Sequence, residues 1–520
     1  MTQVSFAQHG MWVTERMGAG SAYHMPILIR FDGSPIPDPA VLAKACAGVV
    51  ARHPLLGSAV RALDGVPHLV PATRIPSLET GESVAEAIRR PFDLENGPLI
   101  RFTLVGDTFV IVAHHLVFDG ASKDILVADL AAIANGAEPP LLGPLTQADQ
   151  AQVDHAAGQR ERVAAVLDEA RVFWADRWRE PGGTLVPGGE LRSRRGHPGQ
   201  VLEFALDVPG LPGLTRFEVL LAALHALLMS YGNADVVTAV DLSTRTAASE
   251  GHIGPFVNEL PVFSSPPPGA PFTTFAAGLR AELRSLYAYR EVPLARAVSG
   301  LKPHAALTPV SISYRRGSQT PRPDPDNALG QVDWLAFNYA VRGALQLQVL
   351  DQTAETTPGM ESVPGMTVSL RYDPDELTDP IGFADDLRAV LAAVAQDPTR
   401  PLDASPTRET MAARPVQSAA PATAGLSTAG DGAASGSTGV SPPAGANLND
   451  PLAAEIRTIW EEVLKLAPIE PHDDIFDLGG HSLTITQIIA RMRKRLGVEV
   501  ELDDFFDNPT IAGVLQVIRR

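Results

Sequence analysis

The sequence predicts an α/β protein of two successive halves, joined by a flexible tether to a small helical bundle. Three observations carry this reading. Up to about residue 400, apolar strand-like runs alternate with amphipathic helical stretches. From about Ala404 to Asn449 the chain is dominated by Ala, Gly, Ser, Thr and Pro, a composition that cannot bury enough apolar surface to order itself. Residues 450–520 show helical periodicity alone.

In order, His24 to Phe31 reads as a strand and Pro39 to Arg52 as a helix opened by proline. Thr108 to Ala113 is a buried strand. Ser122 to Ala134 is a helix with Ile125, Leu126, Leu130 and Ile133 on one face, and Arg160 to Trp178 a long charged helix carrying Phe173 and Trp174. A second round begins with a strand at Val201 to Val208. It continues with a helix at Phe217 to Tyr231, a strand at Val236 to Val240, a strand at Met366 to Tyr372 and a helix at Pro380 to Ala395. After the tether, Pro451 opens a helix whose stripe is Leu452, Ile456, Ile459, Trp460, Val463 and Leu464. Ser482 to Leu496 is the next helix, Asp503 to Phe506 a short turn, and Pro509 to Ile518 the last helix. The expected boundaries are 1–403, with halves of about 1–180 and 181–403, a linker over 404–449, and a bundle over 450–520. The roughly 45 residues of linker reach on the order of 35–40 Å on average.

At 520 residues the chain exceeds a single core. A net charge of −18 argues against nucleic acid and anionic membranes as partners. The one cysteine, Cys46, rules out an internal disulfide, fits a reducing cytoplasm, and lies in an apolar helical pattern as a buried, inert thiol. Any thioester chemistry therefore needs a prosthetic thiol. Met1 to Phe6 shows no signal-peptide pattern. The longest apolar stretch, Val219 to Met229, contains His225 and falls short of a membrane span. The protein reads as cytoplasmic.

The apolar run Phe109 to Ala113 leads directly into His114-His115-Leu116-Val117-Phe118-Asp119-Gly120. Strand alternation would point His114 and His115 to opposite sides, one facing a channel and the other bracing the fold. Gly120 permits a tight turn into the following helix. Asp119 needs a cation if buried. Histidine suits proton transfer near neutral pH. A lone His-x3-Asp pattern is weak, and a metal site is not expected because no third ligand lies at recognisable spacing.

The full string resembles the active-site signature of nonribosomal peptide synthetase condensation domains. The resemblance extends over roughly Val4 to Pro401: Ser5, Ala7, Gln8 and Trp12, then Tyr23 and Pro26; Arg52-His53-Pro54-Leu55-Leu56; Ile253-Gly254-Pro255-Phe256-Val257-Asn258; and, more weakly, Tyr289 to Leu294. It implies two chloramphenicol-acetyltransferase-like halves in a V with a tunnel between them. It implies His115 as the catalytic histidine, which takes a proton from the acceptor amine or orients it. His114 and Asp119 would be structural, Asp119 paired with an arginine of the second half for which Arg245 is the candidate, and Gly120 would offer a backbone N–H to the developing oxyanion. The family's Tyr-x-Asp-Tyr-Ala motif has no good counterpart, and Pro309 to Tyr314 follows its counterpart loosely, which leaves amide and ester formation both open.

In the C-terminal bundle, Asp474-Ile475-Phe476-Asp477-Leu478-Gly479-Gly480-His481-Ser482-Leu483 resembles the attachment site of peptidyl carrier domains. A serine opening a helix fits a plain N-cap, and it equally fits a hydroxyl presented where the helix dipole favours a phosphate. The resemblance implies covalent 4'-phosphopantetheine on Ser482, with Asp477 read by the modifying enzyme, and Leu483 and Ile485 docking partners.

Together these imply a condensation–carrier didomain lacking an adenylation domain. It would transfer an acyl or peptidyl group from a separate upstream donor carrier to an aminoacyl group on its own Ser482 arm, forming an amide or ester. The implied partners are a phosphopantetheinyl transferase and an adenylation enzyme acting in trans. Two rivals stand beside this: a free amine or alcohol acceptor with the chain's own carrier as donor, and a non-catalytic docking scaffold.

Overall fold

The computed structural model describes the chain except for residues 1, 32–35, 138–144, 247–248, 250, 318–328, 353–364, 403–449, 477, 479, 481 and 520. The tether expected over 404–449 lies outside the described residues, as do Asp477 and His481.

The first half opens with α1 (Phe6–Thr14), started by a capping box: Gln8 N–H donates to Ser5 Oγ, and Ser5 N–H donates to the Gln8 side chain. Strand β1 (His24–Arg30) is followed by α2 (Pro39–Arg52), capped by Asp38. A hairpin, β2 (Ser58–Leu63) and β3 (Val66–Pro71), turns through Asp64 and Gly65 at φ 48° and 78°, the left-handed pair a two-residue hairpin loop requires. Strands β4 (Leu78–Thr80), β5 (Ile100–Val105) and β6 (Thr108–His114) precede α3 (Gly120–Ala134) and α4 (Leu145–Ala175). In the sheet β6 lies between β1 and β5, with β4 beyond β5 at one edge. Phe109 to Ala113 is buried, as the unbroken apolar run anticipates.

The second half comprises β7 (Gln200–Leu206), α5 (Arg216–Ser230), β8 (Val236–Ser243), β9 (Val257–Ser264), α6 (Phe272–Leu286), β10 (Val310–Arg316), β11 (Gln331–Asp333), β12 (Leu345–Asp351), β13 (Met366–Tyr372) and α7 (Pro380–Gln396). Its sheet has the order β7-β13-β12-β10-β8-β9, with β8–β10 and β10–β12 parallel. The run Val219 to Leu228 packs into the core as the interior helix α5.

The halves share structure across the expected boundary near residue 180. Strand β11 leaves the second half and pairs with β1, Val332 opposite Ile29. Asn338 Nδ2 donates to the carbonyls of Ser21, Ala22 and His24. Val163, Ala170 and Trp174 of α4 pack into the second half's core, and the helix stops at Ala175, so Trp178 lies beyond it. These are pairings across more than a hundred residues, which local periodicity does not register.

The bundle is α8 (Pro451–Leu464), α9 (Ser482–Leu496), α10 (Leu502–Asp507) and α11 (Ile511–Ile518). Trp460 stacks on Phe505 at 5.6 Å and Phe476 on Phe506 at 5.9 Å. The segment expected as a short turn is the helix α10, favoured by Asp503 and Asp504 in its first turn. The bundle rests on both halves: Lys494 Nζ lies 3.2 Å from Asp64 Oδ1, and Lys302 Nζ 3.1 Å from Asp507 Oδ1. Among the described residues no helix is long and apolar enough to cross a membrane.

Candidate active site and carrier serine

Strand β6 ends at His114, and His115 to Val117 make a tight helical turn that delivers Asp119 to the N-cap of α3. Strict alternation therefore stops before His115, and it is not what separates the two histidines. Both rings lie near Tyr23, at 6.2 and 6.3 Å between centroids. Burial separates them: His114 is fully buried, while His115 keeps partial exposure. His114 Nδ1 accepts the Leu116 N–H at 3.1 Å, which locks the turn from behind.

His115 Nδ1 lies 2.6 Å from the Phe118 carbonyl oxygen. That carbonyl can only accept, so Nδ1 carries the hydrogen and Nε2 is left with its lone pair. Burial, reinforced by the Arg342 guanidinium, holds the imidazole below its ordinary pKa, against the pull of Asp241 and Asp119. A neutral ring with a free Nε2 can accept a proton at neutral pH.

Asp119 ties the two halves together. Its Oδ1 accepts from Ser122 N–H at 2.8 Å, Ser122 Oγ at 2.7 Å and Arg245 Nη2 at 2.8 Å; its Oδ2 accepts the Phe256 N–H at 3.1 Å. Arg245 also donates to the carbonyls of Ser249 and His252 and lies over the Phe256 ring at 4.5 Å. Ser122, which sequence reasoning does not single out, completes the junction by accepting the Gly254 N–H at 3.1 Å. A hydroxyl three residues after an N-cap aspartate is the available signal.

Gly120 is not the tight-turn residue the sequence suggests. It is the first residue of α3, it is absent from the left-handed glycines, and a Cβ there would meet Arg315 Cδ at an ordinary 3.7 Å. The preceding turn and the extended Asp119 (φ −134°) already redirect the chain. Arg315 of β10 donates to the Gly120 carbonyl at 2.7 Å and pairs with Asp124 at 3.1 Å. Beside it the buried Lys123 donates to the carbonyls of Pro26 and Trp334, and burial lowers its pKa to about 7.

Two of the charges that act on His115, Arg342 and Asp241, belong to a cluster that no motif announces. Arg342 lies 3.2 Å from Glu259 and 3.7 Å from Asp241. Burial opposes its charge, yet these two carboxylates raise its pKa further, while burial raises that of Glu259. Asp241 also lines a cavity of about 370 Å³ together with Phe217, Ser243, Tyr287 and Tyr314.

In the bundle, Ser482 is the first residue of α9. Gly480 N–H donates to the Ile475 carbonyl at 2.8 Å, and a Cβ at Gly480 would stand 2.6 Å from that same residue. A side chain at Gly480 would thus overlap Ile475, and Ser482, two residues on, stands at a helix start, where backbone N–H groups suit a phosphate ester. Ile485 is not at the surface as a docking residue; it is fully buried, like Ile488 and Met492 on the same helix face, whereas Leu483 is partly exposed.

Two families of known proteins match the chain, one after the other. Residues 1–407 match the family described as Condensation domain, and residues 454–518 match Phosphopantetheine attachment site. The chain is similar to the phosphinothricin tripeptide synthetase PhsC of Streptomyces viridochromogenes, 27% identical over 347 residues, covering 59% of this chain and 31% of that protein. It is also similar to the isonitrile lipopeptide synthase of Mycobacterium tuberculosis, 28% identical over 443 residues, 76% of this chain and 17% of that protein. The matches thus span less than a third of these curated relatives. In fold it resembles the first condensation domain of the CDA synthetase, with TM-score 0.60, 20% identity, 78% of this chain and 98% of that one. The X-domain from teicoplanin biosynthesis is another neighbour, with TM-score 0.59, 19% identity, 77% of this chain and 96% of that one.

Proposed function

The chain belongs to the condensation-domain family and continues into a domain that carries 4'-phosphopantetheine on a serine; from that premise we propose that it condenses a donor acyl or peptidyl thioester, brought by a separate carrier, with an aminoacyl group on its own arm at Ser482. When bound, the prosthetic group supplies the thiol that holds the aminoacyl group as a thioester. Within this reading His115 Nε2 takes the proton from the acceptor amine as its nitrogen attacks the donor carbonyl. The C–N bond forms, the donor C–S bond breaks, and the departing thiolate collects a proton. Gly120 N–H, at the positive end of α3, faces the oxygen that gains charge. Asp119 and Arg245 hold His115 in place by joining the two halves behind it.

The observation that carries the reading is the His115–Phe118 hydrogen bond of 2.6 Å, which leaves Nε2 free to act as a base. The contacts of the bundle with Asp64 and Lys302 support use of the chain's own carrier. A phosphopantetheinyl transferase would install the arm, an adenylation enzyme acting in trans would load it, and an upstream carrier would bring the donor.

The test is reconstitution of the holo chain, aminoacylated on Ser482, with an acyl-loaded donor carrier. His115→Ala should keep its loaded arm and lose transfer by about 10²–10⁴-fold. Undiminished transfer in that variant would sink the proposal.

A further inference from the structure

We propose that the hairpin turn Asp64–Gly65 is the dock for this chain's own carrier, and that the missing side chain of Gly65 is what admits it. The inference rests on the reading that the Ser482 carrier serves this condensation site, and it adds which surface receives that carrier and why.

The backbone of α9 crosses directly over the turn. A Cβ at Gly65 would stand 2.9 Å from Gln487 Cα and closer still to the Thr486 carbonyl oxygen. Both neighbours are main-chain atoms, so no rotamer change relieves the overlap. Thr486 is four residues past Ser482, about 6 Å along the helix axis, so a shift of the helix there moves the origin of the arm. Charge sets the register: two turns further along the same helix, Lys494 meets Asp64 at 3.2 Å. A separate contact anchors the other end of the bundle to the second half, Lys302 with Asp507 at 3.1 Å. The partner that fits is therefore a carrier whose serine-bearing helix brings its backbone close at Thr486 and Gln487 and offers a cation two turns later. The turn thus reads the path of that helix through Gly65 and one of its charges through Asp64.

Gly65 has a left-handed backbone, φ 78°, so any substitution there adds strain as well as overlap. Gly106 separates the two effects. It too is left-handed, φ 58°, but nothing lies within 4 Å of its Cβ position.

The experiment is cross-linking of the full chain carrying Lys302→Cys and Asp507→Cys with a short-arm bismaleimide. Those positions report docking away from the turn, and the native Cys46 is fully buried. Gly65→Ala should lower the yield on the order of tenfold, while Gly106→Ala leaves it unchanged. Gly65→Asn, which tolerates the left-handed backbone yet still carries a Cβ, gives the same loss and serves if the alanine variant fails to fold. Asp64→Lys should lower the yield about two- to threefold, restored by Lys494→Asp. Undiminished cross-linking in a folded Gly65 variant, or an equal loss in Gly106→Ala, overturns the proposal. Cross-linking needs no turnover. A chain that docks in this Gly65-dependent way but never acylates its own carrier would sink the proposed function and leave the dock standing; transfer without Gly65 dependence would do the reverse.

Discussion

Asp119→Ala is the perturbation whose cost the structure defines best. The carboxylate is almost wholly buried, with 6% of its side chain exposed, and it accepts four hydrogen bonds from Ser122, Arg245 and Phe256. Removing it strands a largely buried guanidinium, a change that costs about 3–5 kcal/mol where nothing compensates. Loss of the N-cap of α3 adds about 1 kcal/mol. Arg245 keeps its bonds to Ser249, His252 and Ser122, which offsets part of this. A net loss of about 4 kcal/mol corresponds to a drop on the order of 10 °C in the melting temperature of a unit the size of one half. Differential scanning calorimetry of both proteins, run beside the transfer assay, should show lower melting together with lost turnover. Unchanged melting with abolished turnover would refute the structural role given to Asp119.

Burial brings both His24 and His225 to about 3, and His225 is further enclosed by Ser264 and Thr238. Below pH 6.5 the unfolded chain binds protons that the folded chain refuses, so their contribution is fully present above 6.5 and is lost as pH falls toward 3. For the two groups together the loss at pH 5 is about 4 kcal/mol, read from urea midpoints at pH 7 and pH 5; a flat profile would contradict it. The acid limb of the transfer rate should lie below 6.5, because His115 stays neutral below its ordinary value; a limb at or above 6.5 counts against it as the base. Burial pushes the Cys46 thiol up to about 12, so iodoacetamide should leave it unlabelled until the chain unfolds, as peptide mapping would reveal. Ser482→Ala should gain no mass when treated with coenzyme A and a phosphopantetheinyl transferase, and a mass gain would place the arm elsewhere.

Local signals locate much of the fold. Proline and arginine bracket α2 at Pro39 and Arg52 as expected from sequence, and the apolar runs of β6 and α5 are interior elements. The hairpin at Asp64–Gly65 is legible in principle, since an Asp-Gly pair between alternating residues favours such a turn, although it is absent from the elements expected from sequence. Strands β10 and β12 are absent from the elements expected from sequence: β10 lies between two parallel neighbours, β8 and β12, that only the folded sheet brings beside it, whereas β12 pairs antiparallel with β13, the next strand along the chain. At the site, the His115 and Asp119 string and Arg245 are visible through the family resemblance. Ser122, Lys123 and the Arg342–Glu259–Asp241 cluster are not, because each acquires its meaning from partners brought close only by folding: Lys123 meets Trp334 across 211 positions, and Ser122 meets Gly254 across 132.

Intact-protein mass spectrometry of this chain and its His115→Ala variant, both isolated from the producing cells, decides whether the chain condenses onto its own carrier. The group carried on Ser482 is the readout. A larger condensed product on the parent chain, with only the small aminoacyl group on the variant, is the predicted result. The same group on both would contradict condensation onto the chain's own carrier.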